Sequence, residues 1–326
     1  MPDTMTMRRE RNDNEEEGRD CRSAAAPAAS ALLIVGLALS MLAGCTSAAP
    51  KPPPSVGTSV PPSPSSSGSP ASTGKVPAPA HTLVVVMENH SASEVIGSSE
   101  APYVNMLARQ GALFTRSFAI THPSEPNYLA LFSGSTQSVT GDDCPVTFSA
   151  PNLASGLLGA GKTFAGYAED LPATGSQVCT AGEYARKHVP WADFSNIPGR
   201  VSLPYTRFPA SSLASLPTVS FVIPNLCHDM HDCSAATGDA WLRTHISGYV
   251  TWAMSHNSLL ILTWDENDGS PGNQIPTIFV GPMVKPGHYS EQITHYRVLA
   301  TIEAAYGLPH DGHAASVQPI TDIWKH

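Results

Sequence analysis

An α/β sandwich with a mostly parallel central sheet is predicted by three features of this 326-residue sequence. A continuous apolar, β-branched run covers 82–87, with further strand-like runs at 219–223 and 259–263, and strands buried on both faces read this way. Segments with helical spacing of apolar residues alternate with these runs, which is the pattern of a sheet covered on both faces. Each run also leads within two positions to polar residues, where open α/β sheets carry their ligand chemistry.

Taken in order, the run 82–87 is a buried strand that ends in Glu88-Asn89-His90. A helix follows around 102–110, with Val104, Leu107 and Ala108 on one face, and then a strand around 113–118. The strand feeds a helix through Thr121-His122-Pro123-Ser124-Glu125-Pro126-Asn127. Ser124 is expected at its N-cap, where free N–H groups and the dipole favour an anion. Pro126 suits the first turn, and Asn127 lies one turn beyond Ser124, so both can face one ligand. A helix at 152–158 and a strand at 163–167 come next, the strand leading to Glu169 and Asp170. Residues 184–191 form a short basic, aromatic segment. The strand 219–223 opens into a loop from Pro224 to Cys233. A helix at 239–254 carries Leu242, Ile246, Tyr249 and Ala253 at helical spacing. The strand 259–263 ends in Trp264-Asp265-Glu266, a further strand covers 276–280, and the last helix covers 296–306.

Residues 1–44 read as a signal or targeting segment, because an apolar run ends in the small residues Leu42-Ala43-Gly44-Cys45. That tetrad resembles a bacterial lipobox and implies lipidation of Cys45, export, and tethering in the bacterial cell envelope. Residues 45–80 are a Pro/Ser-rich linker that cannot build a core. The folded domain is expected at 81–326. Four cysteines remain there, and an even set in an exported domain suggests two disulfides. Three pairings are possible; Cys227–Cys233, close in sequence, with Cys144–Cys179 is favoured.

The formal charge is −9, of which residues 1–44 carry −2. No basic run appears, which argues against nucleic acid as a partner. No obligate protein partner is evident. A Gly-x-Gly-x-x-Gly fingerprint and a phosphate loop are both absent, so a dinucleotide or nucleoside-triphosphate role lacks support.

Three strand ends deliver acids or amides: Glu88 with Asn89, Asn225 with Asp229, and Asp265 with Glu266. A parallel sheet brings such ends to one edge, and their oxygens suit a divalent metal. His122, His188, His228, His231 and His295 lie in the same polar loops. They could bind phosphate oxygens, ligate a metal or protonate a leaving group. Metal coordination would activate a serine hydroxyl without a general base. An acyl hydrolase is disfavoured because no Gly-x-Ser-x-Gly elbow surrounds any serine in the domain.

Ser124-x-Pro126-Asn127 running to Gly134 resembles the nucleophile segment of the alkaline-phosphatase-like superfamily. Met87-Glu-Asn-His90, Lys187-His-x-Pro190, Asp229-Met-His-Asp232, Asp265-Glu266 and His295-Tyr296 follow in the order of the phosphoesterase family, which groups bacterial phospholipases C with acid phosphatases. The resemblance implies an alkaline-phosphatase-like α/β/α sandwich. It implies that Ser124 is nucleophile and metal ligand, with Glu88, Asn89, Asp265 and Glu266 at metal positions. Asn127, His188 and His231 would face the phosphate. Asn225, Asp229 and His295 would serve as supporting or second-metal residues. The cofactor would be a divalent ion, with Ca, Mg, Mn, Zn and Fe all open. The expected function is an exported, metal-dependent phosphoric ester hydrolase with a phosphoserine intermediate. The short domain favours an acid-phosphatase-like monoesterase; a phospholipase C or other phosphodiesterase is the alternative. A catalytically inactive cell-surface binding protein is the alternative from another class.

Overall fold

The computed structural model describes residues 75–325. In chain order it holds β1 (Thr82–Met87), α1 (Ala92–Val95), α2 (Pro102–Gln110), β2 (Ala112–Phe114), β3 (Ser117–Phe118), α3 (Ser124–Ser133) and α4 (Leu153–Gly159). Then come β4 (Phe164–Ala168), β5 (Thr180–Ala181), β6 (Tyr184–Ala185), β7 (Ser202–Pro204), β8 (Val219–Ile223) and α5 (Ala235–Ala253). The chain closes with β9 (Leu259–Trp264), β10 (Thr277–Val280), β11 (Gly287–Tyr289), β12 (Ile293–Thr294) and α6 (His295–Tyr306).

Eight strands form one sheet in the order β11-β2-β10-β9-β1-β8-β4-β7. All share one direction except β10, which is antiparallel to both neighbours. The connection from β9 to β10 contains no helix that could return the chain for a parallel pairing. The alternation of side chains along each strand supplies two cores. Leu83, Val85 and Met87 face α2 and α5, meeting Leu107, Leu242 and Ile246. Val84 and Val86 face α3, α4 and α6, together with Phe132, Leu157 and Leu299. Phe132 packs against Phe164, Phe194 and Phe221 at centroid distances of 5.6, 5.7 and 5.7 Å. Burying a side chain of this size contributes about 1.5–3 kcal/mol, and here it locks the nucleophile helix onto the sheet. That helix stops at Gly134, whose φ of 67° is left-handed. A Cβ at Gly134 would collide with the Asp311 carbonyl.

The structure corrects several sequence-based boundaries. The strand expected at 113–118 is two strands: β2 joins the main sheet, whereas β3 pairs with β12. The helix expected at 239–254 begins at Ala235, with Ser234 accepting the Thr237 N–H. Its first turn is built of small residues and gives no apolar periodicity to read. The linker expected to run to residue 80 is already packed at Val76, which is buried in the core, and Ala80 N–H donates to Asn257 O at 2.7 Å. The targeting segment 1–44, the lipidation candidate Cys45 and the linker up to residue 74 lie outside the described residues. Both favoured disulfides are present, Cys144–Cys179 and Cys227–Cys233. No helix among the described residues is long and apolar enough to cross a membrane.

Candidate active site

The carboxyl ends of β9, β1 and β8 are neighbours in the sheet, and α3 begins above them. The register Met87↔Trp264 sets Glu88 beside Asp265. Asn89 turns the chain with a φ of 52°, and its N–H donates to Asp265 Oδ1 at 3.3 Å. Ser124 Oγ lies 3.0 Å from Glu88 Oε2 and 3.1 Å from Glu266 Oε1. A hydroxyl has one proton, so it can satisfy only one of these carboxylates at a time. Ser124 is the first helical residue rather than the N-cap, a position taken by Pro123. Its hydroxyl therefore caps no N–H and points at the acids.

Histidines form the opposite wall. His188 Nδ1 lies 3.2 Å from Asp229 Oδ2, and its Nε2 lies 3.1 Å from Glu88 Oε1. With Asp229 ionised, the Nδ1 carries the proton and Nε2 presents a lone pair. That lone pair confronts a carboxylate oxygen, and neither atom has a hydrogen-bond partner. Tyr128, one turn after Ser124, stacks on His188 at 5.1 Å and 16°. His231 lies 5.7 Å from His188, centroid to centroid, and its N–H donates to Asp229 Oδ1 at 2.8 Å. Its Nδ1 is paired with Asp232 at 2.6 Å. His122 is paired with Glu266 Oε2.

Four candidates are placed elsewhere than expected. Asn127 does not face a shared ligand with Ser124. Its Oδ1 accepts the N–H groups of Ile120 and Thr121 at 2.9 and 3.1 Å, and its Nδ2 donates to the carbonyls of Thr121 and Pro123 at 2.9 and 3.1 Å. All its capacity goes to the loop that delivers Ser124. Asn127→Ala would leave those buried groups unpaired. It is expected to lower stability by about 3 kcal/mol, on the scale of several lost buried hydrogen bonds, readable as a fall in the denaturation midpoint. Asn225 binds Asp170 at 2.7 Å and accepts from His228 N–H at 2.9 Å, so it shapes the 224–233 loop. His295 is no second-metal ligand through Nε2, which lies 2.6 Å from the Asp265 carbonyl and holds the end of β9 in place. His228 turns away to Glu169 at 2.9 Å.

The electrostatics mark the site as short of positive charge. Burial and then the neighbouring Asp265 and Asp229 push Glu88 well above the usual carboxylate range. Burial and Glu266 do the same to Asp265, and burial also raises Glu266. Asp229 is pushed up to about 8, chiefly by burial. Burial and then Lys187 hold His188 well below the usual histidine range. Burial drives His295 down to about 4.

Unpaired buried atoms of Glu88, His188 and Asp265 therefore lie in one site, an arrangement that costs stability unless a cation satisfies them. Glu88, His188 and His231 each bring a ligand atom within 4.8 Å of the others. Glu88, Asp265, Glu266 and Ser124 supply an oxygen-rich set beside it, and half-buried Asn89 directly follows Glu88. These donors fit a divalent ion.

The phosphoesterase family profile matches residues 86–309. The chain belongs to the phosphoesterase family. It is 53% identical over 297 residues to a phosphatidylinositol-3-phosphatase of Mycobacterium tuberculosis, covering 90% of this chain and 94% of that one. It is 31% identical to an acid phosphatase of Aspergillus fumigatus, covering 63% of this chain and 51% of that one. A phosphate-repressible acid phosphatase of Penicillium chrysogenum is 29% identical, over 64% of this chain and 55% of the other. The chain thus spans about half the length of the fungal relatives. Among solved structures, an alkaline phosphatase superfamily protein from Vibrio parahaemolyticus aligns with TM-score 0.55 at 9% identity, over 76% of this chain and 72% of that one. A lipoteichoic acid synthase from Listeria monocytogenes aligns with TM-score 0.53 at 12% identity, over 72% and 74%. Those two alignments show the fold, an alkaline-phosphatase-like α/β/α sandwich. The protein is a hydrolase of phosphoric esters.

Within this phosphoesterase, sequence reasoning missed two contributors, Tyr128 and Asp142. Tyr128 followed the nucleophile motif but gave no sign that it would stack on a histidine 60 positions away. Asp229, expected as a supporting residue, joins His188 to His231. Asp142 accepts from Glu125 N–H at 3.1 Å and from Lys187 Nζ at 2.8 Å, a link between two loops that no local pattern encodes.

Proposed function

We propose that this protein is an exported, metal-dependent phosphomonoesterase that works through a phosphoserine on Ser124. One observation carries the reading: a buried serine hydroxyl lies within 3.0 and 3.1 Å of carboxylates delivered by two different strands. Glu88, Asp265, Glu266 and Ser124 would hold the ion, with the His188 ring beside it. When bound there, a divalent ion supplies positive charge that lowers the serine pKa and offsets charge developing on the phosphoryl group.

The chain's own residues do the rest. Ser124 Oγ gives its proton to an adjacent carboxylate and attacks phosphorus, while the bond from phosphorus to the ester oxygen breaks. The positive end of the α3 dipole favours the charge on the phosphoryl oxygens. His231, partly exposed at the mouth, is placed to give the leaving alcohol its proton. Water then attacks the phosphoserine, releases inorganic phosphate and restores the hydroxyl. Asp229 keeps His188 in one tautomer and orientation throughout.

The relatives support a monoester substrate, since those named above are phosphatases. The Mycobacterium tuberculosis relative points to a phosphorylated inositol lipid as the class to try first. Two disulfides and the Leu42–Cys45 signature support export to an oxidising compartment and a lipid tether. Vesicles of phosphatidylinositol 3-phosphate should release inorganic phosphate, whereas phosphatidylcholine should release no phosphocholine. Comparable release of phosphocholine would replace this reading with a phospholipase C.

A further inference from the structure

The pocket gathers Glu88, Asp229, Asp265 and Glu266, yet must admit a second anion, the substrate. Lys187 directly precedes His188, whose Nε2 lies 3.1 Å from Glu88 Oε1 and whose Nδ1 lies 3.2 Å from Asp229 Oδ2. Its ammonium is fixed rather than free. Asp142 Oδ2 accepts from Nζ at 2.8 Å, and Asp142 Oδ1 accepts the Glu125 N–H at 3.1 Å. Glu125 directly follows the nucleophile, so this chain of two bonds ties the amine to the first turn of α3. The Cys144–Cys179 bond holds the Asp142 loop to the hairpin that leads through Tyr184 to Lys187. An ammonium has three donors, and Asp142 takes one. The side chain remains 22% exposed, so two N–H bonds are left for another acceptor.

We propose that Lys187, anchored by Asp142, contacts non-bridging oxygens of the phosphoryl group and makes the site select phosphate monoesters over phosphodiesters. The physical ground is charge. A monoester near neutral pH is a dianion, and a diester is a monoanion. Against four carboxylates, one fixed cation changes the cost of admitting the dianion more than that of the monoanion. The inference rests on the reading of Ser124 as nucleophile.

The test compares kcat/KM for p-nitrophenyl phosphate and bis(p-nitrophenyl) phosphate in wild type, Lys187→Gln, Lys187→Arg and Ser124→Ala. Lys187→Gln is expected to lower the monoester value by about 30-fold, on the scale of one hydrogen bond between charged groups. The diester value should fall by less than about threefold, because less charge is at stake. Lys187→Arg keeps the charge and should recover most of the preference. Inhibition by inorganic phosphate should weaken in Lys187→Gln, while inhibition by dimethyl phosphate should not. An equal change for both substrates, or for both inhibitors, overturns the assignment to Lys187. Wild-type turnover in Ser124→Ala would instead remove the nucleophile reading on which it rests. An inactive Ser124→Ala beside an unchanged preference in Lys187→Gln would remove only the lysine's role.

Discussion

Ser124→Ala is expected to lower turnover of aryl phosphates by about a thousandfold or more, the scale of losing a covalent nucleophile. The fold should survive the change. Ser124 caps no helix N–H, and alanine is the best helix former. Removing the hydroxyl also removes a group that Glu88 and Glu266 compete for. The loss should therefore appear in kcat, with an unfolding midpoint close to that of wild type. A rapid acid quench of the wild type with substrate present should show phosphate bound to Ser124. A variant that turns over at the wild-type rate, or a quench that labels another residue, would remove the proposed mechanism.

Chelation is expected to abolish activity, with recovery on adding back one or more divalent ions, and the pH response of the stripped protein should show why. Glu88, Asp265 and Glu266 have pKa values raised above their unfolded values, and Asp229 is raised to about 8. A carboxyl with a raised folded pKa binds more protons folded than unfolded. Its contribution is present below the unfolded pKa and is lost as pH rises through the folded pKa. The stripped protein should thus lose stability as pH climbs from about 4 towards about 8. A bound ion reverses the local charge balance and favours the ionised acids. The loaded protein should accordingly show little fall over that window, and ion binding should release protons. Thermal unfolding of both forms at pH 5 and pH 8 makes the comparison. Equal pH dependence in the two would mean that the acids do not meet at a cation.

The parallel sheet was legible because a strand buried on both faces needs apolar residues at every position, as in Leu83-Val84-Val85-Val86. The acids at its edge were legible because a strand end must change abruptly from apolar to polar. Other features had no such local cause. Nothing near Asn127 shows that its amide would close on the backbone of 120–123 instead of a ligand. The reversed direction of β10 follows from a connection without a helix, whereas its residues alone look like those of its parallel neighbours. The split between β2 and β3 likewise depends on partners, β10 and β12, that arrive more than 160 residues later.

The sequence by itself determined the layers and the candidate donors, since periodicity and strand ends are local properties of the chain. Tertiary structure alone decided which donors meet. It aligned β1 with β9 so that Glu88 and Asp265 adjoin, brought Ser124 over them, and stacked Tyr128 on His188. It also turned His228 outward and His295 onto a backbone carbonyl. The reason is one of range: a hydrogen bond acts over about 3 Å, and only the packed fold brings residues distant in sequence that close.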